Sequence, residues 1–419
     1  MYTREVVYEA TLKYFNGDEL ATNVWIDKYC LKKGDEYFEK TPSDNHWRMA
    51  VEFNRIEQKY PNPMSVSEIY DLLVDFKYII PQGSPMAGIG NNFALTSLSN
   101  CFVTGGYFDS YGGIMKSDEE QAQLMKRRGG VGKDISFIRP SGATANGTPL
   151  GPNAGTTLYM ERFSNSTREV QQDGRRGALM LSIDIKHPDA EAFIDKKMIE
   201  GSVTGANVSV RITKEFMTAL KEDRKYFQTF PIDLDITGHP IYELDEDQIE
   251  IDKLYPLAYG GVREFDGTYA KLVDPKKIWE KIIHNAWASA EPGILFWDQI
   301  RDESPANAYG PDWEETSTNP CGEIPLPKDD SCRLILINLY SYAYKAFTED
   351  AALDNLLLEE HATKGMRLMD DLVDLEIEKI DAMLVDIRAK DMPEEFKIVE
   401  ITLWEKIRKK AVDLSLIHI

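Results

Sequence analysis

Hydrophobic and polar positions divide the chain into two helical ends and an alternating middle. Asp44–Glu57 carries apolar residues at helical spacing, and Asp44 is placed to cap that helix. Ser65–Phe76 reads as a second amphipathic helix, with Ser65 and Ser67 as candidate caps. Residues 1–80 therefore read as a helical N-terminal region, and no Ser/Gly-rich linker separates it from 81–419. Thr96–Thr104 reads as a short strand. Ser117–Glu120 has the capping-box pattern and predicts a helix through Arg128, stopped by Gly129–Gly132. Thr156–Gln172 predicts a further helix. Leu179–Ile185 and Asn207–Thr213 read as strands, the second with clean alternation. Helices are expected at His187–Lys197, Thr213–Glu222 and Pro275–Ala290, with an acidic, loop-rich insertion at about 225–270. The continuous apolar run in Pro292–Asp298 predicts a strand buried on both faces. Arg333–Leu339 predicts another strand, and residues 350–412 are helical and acidic. Strands alternating with helices place the chain in the α/β class, with a mainly parallel sheet or barrel. Leu414–Ile419 has no cap or polar finish and reads as an open reading frame cut short.

A length of 419 residues suffices for two or more domains or one large barrel. A net charge of −22 argues against general binding to nucleic acid or anionic membranes. A nucleotide ligand would need cations and helix N-termini concentrated locally. No apolar run approaches the ~20 residues that span a bilayer, and the first residues lack the apolar core of a signal peptide. The four cysteines, Cys30, Cys101, Cys321 and Cys332, have no zinc spacing and do not make a disulfide scaffold. These features read as a cytoplasmic protein with reduced thiols and no metal site.

The chemistry concentrates in Thr318–Pro325. Pro320 fixes its own φ and biases Asn319 toward extended backbone, while Gly322 permits positive φ. In an extended loop alternate residues point the same way, so Asn319, Cys321 and Glu323 would face one ligand with an amide, a thiol and a base. A buried structural Cys in a Pro/Gly turn is the plainer alternative, and these polar neighbours argue against it. Cys101 stands in a polar stretch, which suits a working thiol. Gly129–Gly132 is no phosphate loop, because no GK[ST] follows it. Residues 139–155 form a long irregular loop, and 171–178 places Arg175 and Arg176 between glycines. Such a cationic loop suits nucleotide phosphates or base edges, with a solvated turn as the alternative.

Asn319-Pro320-Cys321-Gly322-Glu323, followed by Ser331-Cys332, resembles the active-site loop of ribonucleotide reductase catalytic subunits. The Pro-Cys-Gly form with a second Cys soon after is most like the adenosylcobalamin-dependent class II enzymes. The resemblance covers about 40–410 and does not reach the family's second half. It implies a helical N-terminal region followed by the first part of a ten-stranded α/β barrel, with the thiol loop at its centre. It further implies that Cys321 becomes a thiyl, Glu323 is the base, Asn319 orients the substrate, and Cys101 with Cys332 is the redox pair. Arg128–Gly132 is similar to a segment that contacts substrate ribose, so Gly130, with Ser84, is an expected substrate contact. Asp109, Arg139, Arg175 and Arg176 are expected to serve a deoxynucleoside triphosphate or ATP effector. A ribonucleotide substrate, a homodimer and an external reductant such as thioredoxin or glutaredoxin follow from the same resemblance. Arg333-Leu-Ile-Leu, where Asn-Leu-Gly-Ser is usual, and Lys133, where an apolar residue is common, depart from the pattern. Two other readings stand beside class II: a class I large subunit with a radical-generating partner, and a non-catalytic nucleotide-binding protein.

Overall fold

The computed structural model of the chain describes residues 1–145, 148–151, 154–172, 175–231, 249–250, 253–254, 262–263 and 268–417. Its N-terminal helices are α1 (Arg4–Tyr14), α2 (Glu19–Lys28), α3 (Pro42–Glu57) and α4 (Val66–Leu73). Thr41 rather than Asp44 caps α3. Pro42 sets the first turn, and Asp44 returns its carboxylate to the Thr41 backbone as the other half of a capping box. Ser65 caps α4 in a box with Glu68, and Ser67 lies inside the helix. The region is not helical throughout, since Lys32–Lys33 pairs with Glu36–Tyr37. It is also tied to distant sequence: β1 (Ile79–Pro81) pairs antiparallel with Ile335–Ile337.

A short helix α5 (Ser84–Gly88) leads to the main sheet. Strands β2 (Cys101–Thr104), β3 (Gly130–Asp134), β4 (Leu179–Asp184) and β5 (Asn207–Ile212) run parallel, each beside its predecessor. The connecting helices are α6 (Tyr111–Met125), α7 (Thr156–Glu169) and α8 (Ala190–Lys196), with α9 (Lys214–Lys221) after β5. The expected insertion at 225–270 lies largely outside the described residues. Its flanks, β6 (Tyr226–Pro231) and β7 (Thr268–Val273), pair antiparallel from Tyr226↔Val273 to Pro231↔Thr268. After α10 (Pro275–Ser289) the chain rejoins the sheet as β8 (Gly293–Phe296), parallel to β5. Helix α11 (Trp297–Glu303) then precedes a hairpin of β9 (Glu315–Thr318) and β10 (Pro325–Pro327). Strand β11 (Asp330–Cys332) closes back antiparallel on β2. Two long helices, α12 (Asn355–Ala389) and α13 (Ile398–Ile417), finish the chain.

The sheet is therefore six-stranded and mixed, in the order β8-β5-β4-β3-β2-β11. Five parallel strands in sequential order wind as a barrel wall does; a doubly wound sheet reverses its strand order. Among the described residues the main sheet has six strands, where the first part of a ten-stranded barrel was expected. Three local expectations are corrected. Helix α6 starts at Ser110, whose hydroxyl accepts the Gly113 N–H at 3.0 Å, so Ser117–Glu120 lies within the helix. Gly112 and Gly113 hid that start, because Gly disfavours helix. Strand β8 is the edge of the sheet, and Phe296 is half-exposed, so its apolar run did not mean burial on both faces. The strand expected at Arg333–Leu339 is present but shorter, Ile335–Ile337, and it pairs with β1 outside the main sheet, whereas the strand that joins β2 is Asp330–Cys332 just before it.

The helices pack one face of the sheet into the main core, where Phe102 meets Trp404 edge-on at 5.7 Å. Helix α12 joins two cores. Leu368, Leu372 and Leu375 pack on the N-terminal helices, and Ile380, Met383 and Ile387 pack on the sheet.

Lys133 is fully buried in the main core. Its ammonium donates to Ser117 O and Oγ, both at 2.9 Å, and lies 4.1 Å from the Phe163 ring centre. Burial pushes its pKa down to about 7, with Asp118 and Glu120 acting against the shift. The unfolded chain then binds more protons than the folded one between about pH 7 and the ordinary lysine value near 10.4. Folding stability carried by this group accordingly rises with pH across that window. Lys133→Met should flatten that rise, measured as the difference in urea midpoint between pH 7 and pH 9 for the two proteins. Equal differences would show that Lys133 keeps its proton in the folded state.

Candidate active site

The hairpin β9–β10 lies across the strands rather than among them. Ser317 Oγ is 3.4 Å from Ser182 Oγ on β4. Asn207 Nδ2 on β5 donates to Pro320 O at 2.9 Å, and Arg211 Nη1 donates to Thr316 O at 3.4 Å. Arg211 is held by Asp134 at 2.9 Å and stacks on Trp297. Under the hairpin the sheet must be bare. A Cβ on Gly132 would stand 1.7 Å from Thr318 O, and one on Gly130 would stand 2.8 Å from Pro320 Cγ. The glycine run is thus part of a central strand whose hairpin-facing positions, Gly130 and Gly132, carry no side chain. It was expected to be a helix stop and tight turn, and only the stop is right.

The tip is a turn and not an extended loop. Gly322 N donates to Asn319 O at 3.0 Å, with Pro320 second in the turn and Gly322 at φ +86°. The expected alternation of Asn319, Cys321 and Glu323 is corrected, yet all three line one cavity of about 530 Å³. Asn319 is buried. Its Oδ1 accepts from Ile324 N at 3.0 Å, and its Nδ2 is 4.0 Å from Cys101 Sγ. Cys321 and Glu323 are exposed to the opening. Cys101 and Gly130 line the same cavity, and Phe15, Trp25 and Phe76 of the N-terminal region form its apolar wall.

Cys101 and Cys332 are register partners in the antiparallel pair β2–β11. Such partners have Cα atoms about 4.5–5.5 Å apart, within the range a disulfide spans. The Cys332 thiol is pushed well up by its hydrogen bond with Cys101, then by burial. Cys101 is buried, so its polar sequence context did not mean exposure. Ser84 is buried just outside the cavity lining, and its backbone N–H donates to Asn100 Oδ1 at 2.7 Å.

The four expected effector residues fall in two places. Asp109 follows β2 and Arg139 follows β3, and the Arg139 Nε donates to Asp109 Oδ2 at 2.7 Å. Cys101 and Gly130 begin the same two strands, so this ion pair and the thiols sit at opposite ends of the sheet. Arg175 and Arg176 instead precede β4, in a strand paired with Gln171–Gln172, and nearby Ala178 lines the thiol cavity. Asp173 and Gly174 of that loop lie outside the described residues. Among the described residues no His/Cys/Asp/Glu group could hold a metal ion, and no helix is long and apolar enough to cross a membrane.

Asn207, Arg211 and the aromatic wall were not anticipated. The first two had a signal, since alternation in Asn207–Thr213 sets Asn207, Ser209 and Arg211 on one face. The wall had none, because it is assembled across tertiary space. Gly132→Ala should displace the hairpin and cost about 1–3 kcal/mol, read as a lower denaturant midpoint. Gly151, which has nothing within 4 Å of its Cβ position, serves as the control and should tolerate Ala. An unchanged midpoint at Gly132 would show that the hairpin does not rest on that strand.

The profile described as ribonucleotide reductase, barrel domain, matches residues 99–389. The chain is 29% identical over 297 residues to the vitamin B12-dependent ribonucleoside-diphosphate reductase of Thermoplasma acidophilum, across 70% of the chain and 33% of that relative. It is 28% identical over 301 residues to the protein of that name in Mycobacterium tuberculosis, across 71% of the chain and 37% of the relative. A Variola virus ribonucleoside-diphosphate reductase large subunit is 25% identical over 376 residues, across 88% of the chain and 45% of the relative. The chain thus spans between about a third and under half of these relatives' lengths. With the profile covering more than half of its residues, the chain belongs to the ribonucleotide reductase family.

Proposed function

We propose that this chain carries the thiol chemistry of a ribonucleotide reductase, which converts ribonucleotides to 2′-deoxyribonucleotides for DNA synthesis. The supporting observation is the convergence of Asn319, Cys321, Glu323 and Cys101 on one cavity, with Cys332 paired behind Cys101. In this reading the Cys321 thiyl takes the 3′ hydrogen of the ribose. Glu323 accepts the 3′-hydroxyl proton as general base. The Asn319 amide, fixed by Ile324 N and close to Cys101, orients the sugar hydroxyls. Cys101 protonates the departing 2′-hydroxyl, which leaves as water. Cys101 and Cys332 then give up two electrons and form a disulfide, and the hydrogen held by Cys321 returns to the 3′ carbon. Substrate and two thiols thus become deoxynucleotide, water and one disulfide, which an external dithiol reopens. Gly130 and Ser84 are the proposed substrate contacts.

Adenosylcobalamin is the proposed radical source, supported by the B12-dependent relatives. The residues present fit such a group: Cys321 is exposed to a cavity that Phe15, Trp25 and Phe76 also line with apolar surface. When bound, the cofactor supplies the radical that removes the hydrogen from the Cys321 thiol. A class I large subunit, with its radical from a partner protein, is the second reading, supported by the longer reach of the Variola match.

The test is deoxynucleotide formation by the purified protein with a dithiol, with and without adenosylcobalamin. Cys321→Ser keeps size and hydrogen bonding but strengthens the X–H bond, so turnover should fall by roughly four orders of magnitude or more. Substantial activity in that variant would end the thiyl reading, and activity that ignores the cobalamin would move the protein to class I.

We further infer that Asp109, Arg139, Arg175 and Arg176 serve a nucleotide effector, with a homodimer as the assembly. Deoxynucleoside triphosphates should then change which base is reduced, and Asp109→Ala should weaken that change. Identical base preference with every effector would overturn the inference.

A further inference from the structure

Behind the cysteine pair, on the face away from the cavity, lies a buried carboxylate that the proposed chemistry does not use. Glu376 stands on α12 where that helix passes from the N-terminal core to the sheet core, and it is wholly inaccessible to solvent. Its Oε1 accepts from Ser97 Oγ at 2.5 Å and from Ser99 Oγ at 3.2 Å, and its Oε2 accepts from Leu98 N at 2.5 Å. All three donors belong to the segment that runs directly into Cys101. The Ser99 hydroxyl also lies 3.2 Å from the Ser331 hydroxyl. Arg333 Nη2 in turn donates to Ser331 Oγ at 3.3 Å. Ser331 and Arg333 flank Cys332. One carboxylate therefore reaches the approach to Cys101 directly and the strand of Cys332 through two serines.

A Glu buried this deeply is costly unless its acceptors are filled and a counter-charge is near. Both conditions hold. Burial pushes the Glu376 carboxyl up, and the nearby Arg333 guanidinium acts against that shift. Arg333, which replaces the family's usual Asn, is itself buried among these groups. An acceptor-only carboxylate suits a site where every neighbour donates.

We propose that Glu376 is the positioning residue for the Cys101–Cys332 pair, anchoring both strands so that the two sulfurs stay within reach of one another whether reduced or oxidised. It touches neither substrate nor reacting sulfur and acts through Ser99, Ser331 and Arg333. The proposal rests on reading Cys101 and Cys332 as a redox pair. A thiol–disulfide equilibrium measures how well two sulfurs are held, because the disulfide forms in proportion to their effective concentration.

The test equilibrates the intact chain with glutathione buffers of set ratio, then quantifies the Cys101–Cys332 disulfide by peptide mapping. Glu376→Gln keeps the side-chain shape but turns one acceptor into a donor facing donors. It should lower the effective concentration at least tenfold, which raises the reduction potential of the pair by about 30 mV. Ser331→Ala severs only the arm to Cys332 and should shift the potential in the same direction by less. It carries the test alone should Glu376→Gln fail to fold. A lower denaturant midpoint with an unmoved potential would make Glu376 a purely structural residue and overturn the proposal. A wild-type chain that forms no Cys101–Cys332 disulfide at any buffer ratio would overturn the redox-pair reading itself.

Discussion

The site depends on one close approach of backbone to backbone. The Thr318 carbonyl occupies the space where a side chain on Gly132 would stand, and Pro320 rests on Gly130. Strand β3 can be central only because its inward positions are glycine, and the thiol hairpin can cross the sheet only because β3 is bare. Glycine is a poor strand former. Here the loss in strand preference is offset by Val131 on the opposite face, which is buried in the main core, and by pairing with β2 and β4 on either side. The hairpin is then fixed from β5 of the same sheet by hydrogen bonds from Asn207 and Arg211 to its carbonyls.

Two electrostatic devices hold this arrangement from the helical side. Lys133 binds β3 to Ser117 of α6 from within the apolar layer, at the cost of a depressed pKa. Glu376 binds α12 to the segment entering β2. Each is a titratable group taken out of water and matched by donors or acceptors, so each specifies one arrangement of its neighbours rather than adding much net stability. Together they tie β2 and β3, with β11 paired to β2, into one floor. Cys101 and Cys332 face each other on that floor by strand register, and Cys321 enters from the turn above.

The chain alone made much of this legible, where the reason was local. The strands Leu179–Asp184 and Asn207–Ile212, the helix Pro275–Ser289 and the Ser65 cap follow from periodicity and capping chemistry, which depend on near neighbours. The order of helices and strands also indicated the α/β class. What failed was nonlocal. The Gly129–Gly132 run reads as a stop by propensity and becomes a strand because a hairpin nearly 190 residues later needs the room. The apolar run of β8 looked central and lies at an edge, because continuous apolar sequence does not say which strands will flank it.

The sequence by itself determined the chemical inventory: an amide, a thiol and a carboxylate around Pro320 and Gly322, with two more thiols at Cys101 and Cys332. Residue identity and turn propensity are local properties, and they survive in the unfolded chain. Only the tertiary structure decided that Asn319, Cys321 and Glu323 reach one cavity through a turn, and that Cys101 stands opposite Cys332. It alone brought Phe15 and Trp25 to that cavity and Glu376 to the other side of the cysteine pair. Those placements are set by strand register and by which backbones can touch, and both depend on contacts between residues far apart in the chain.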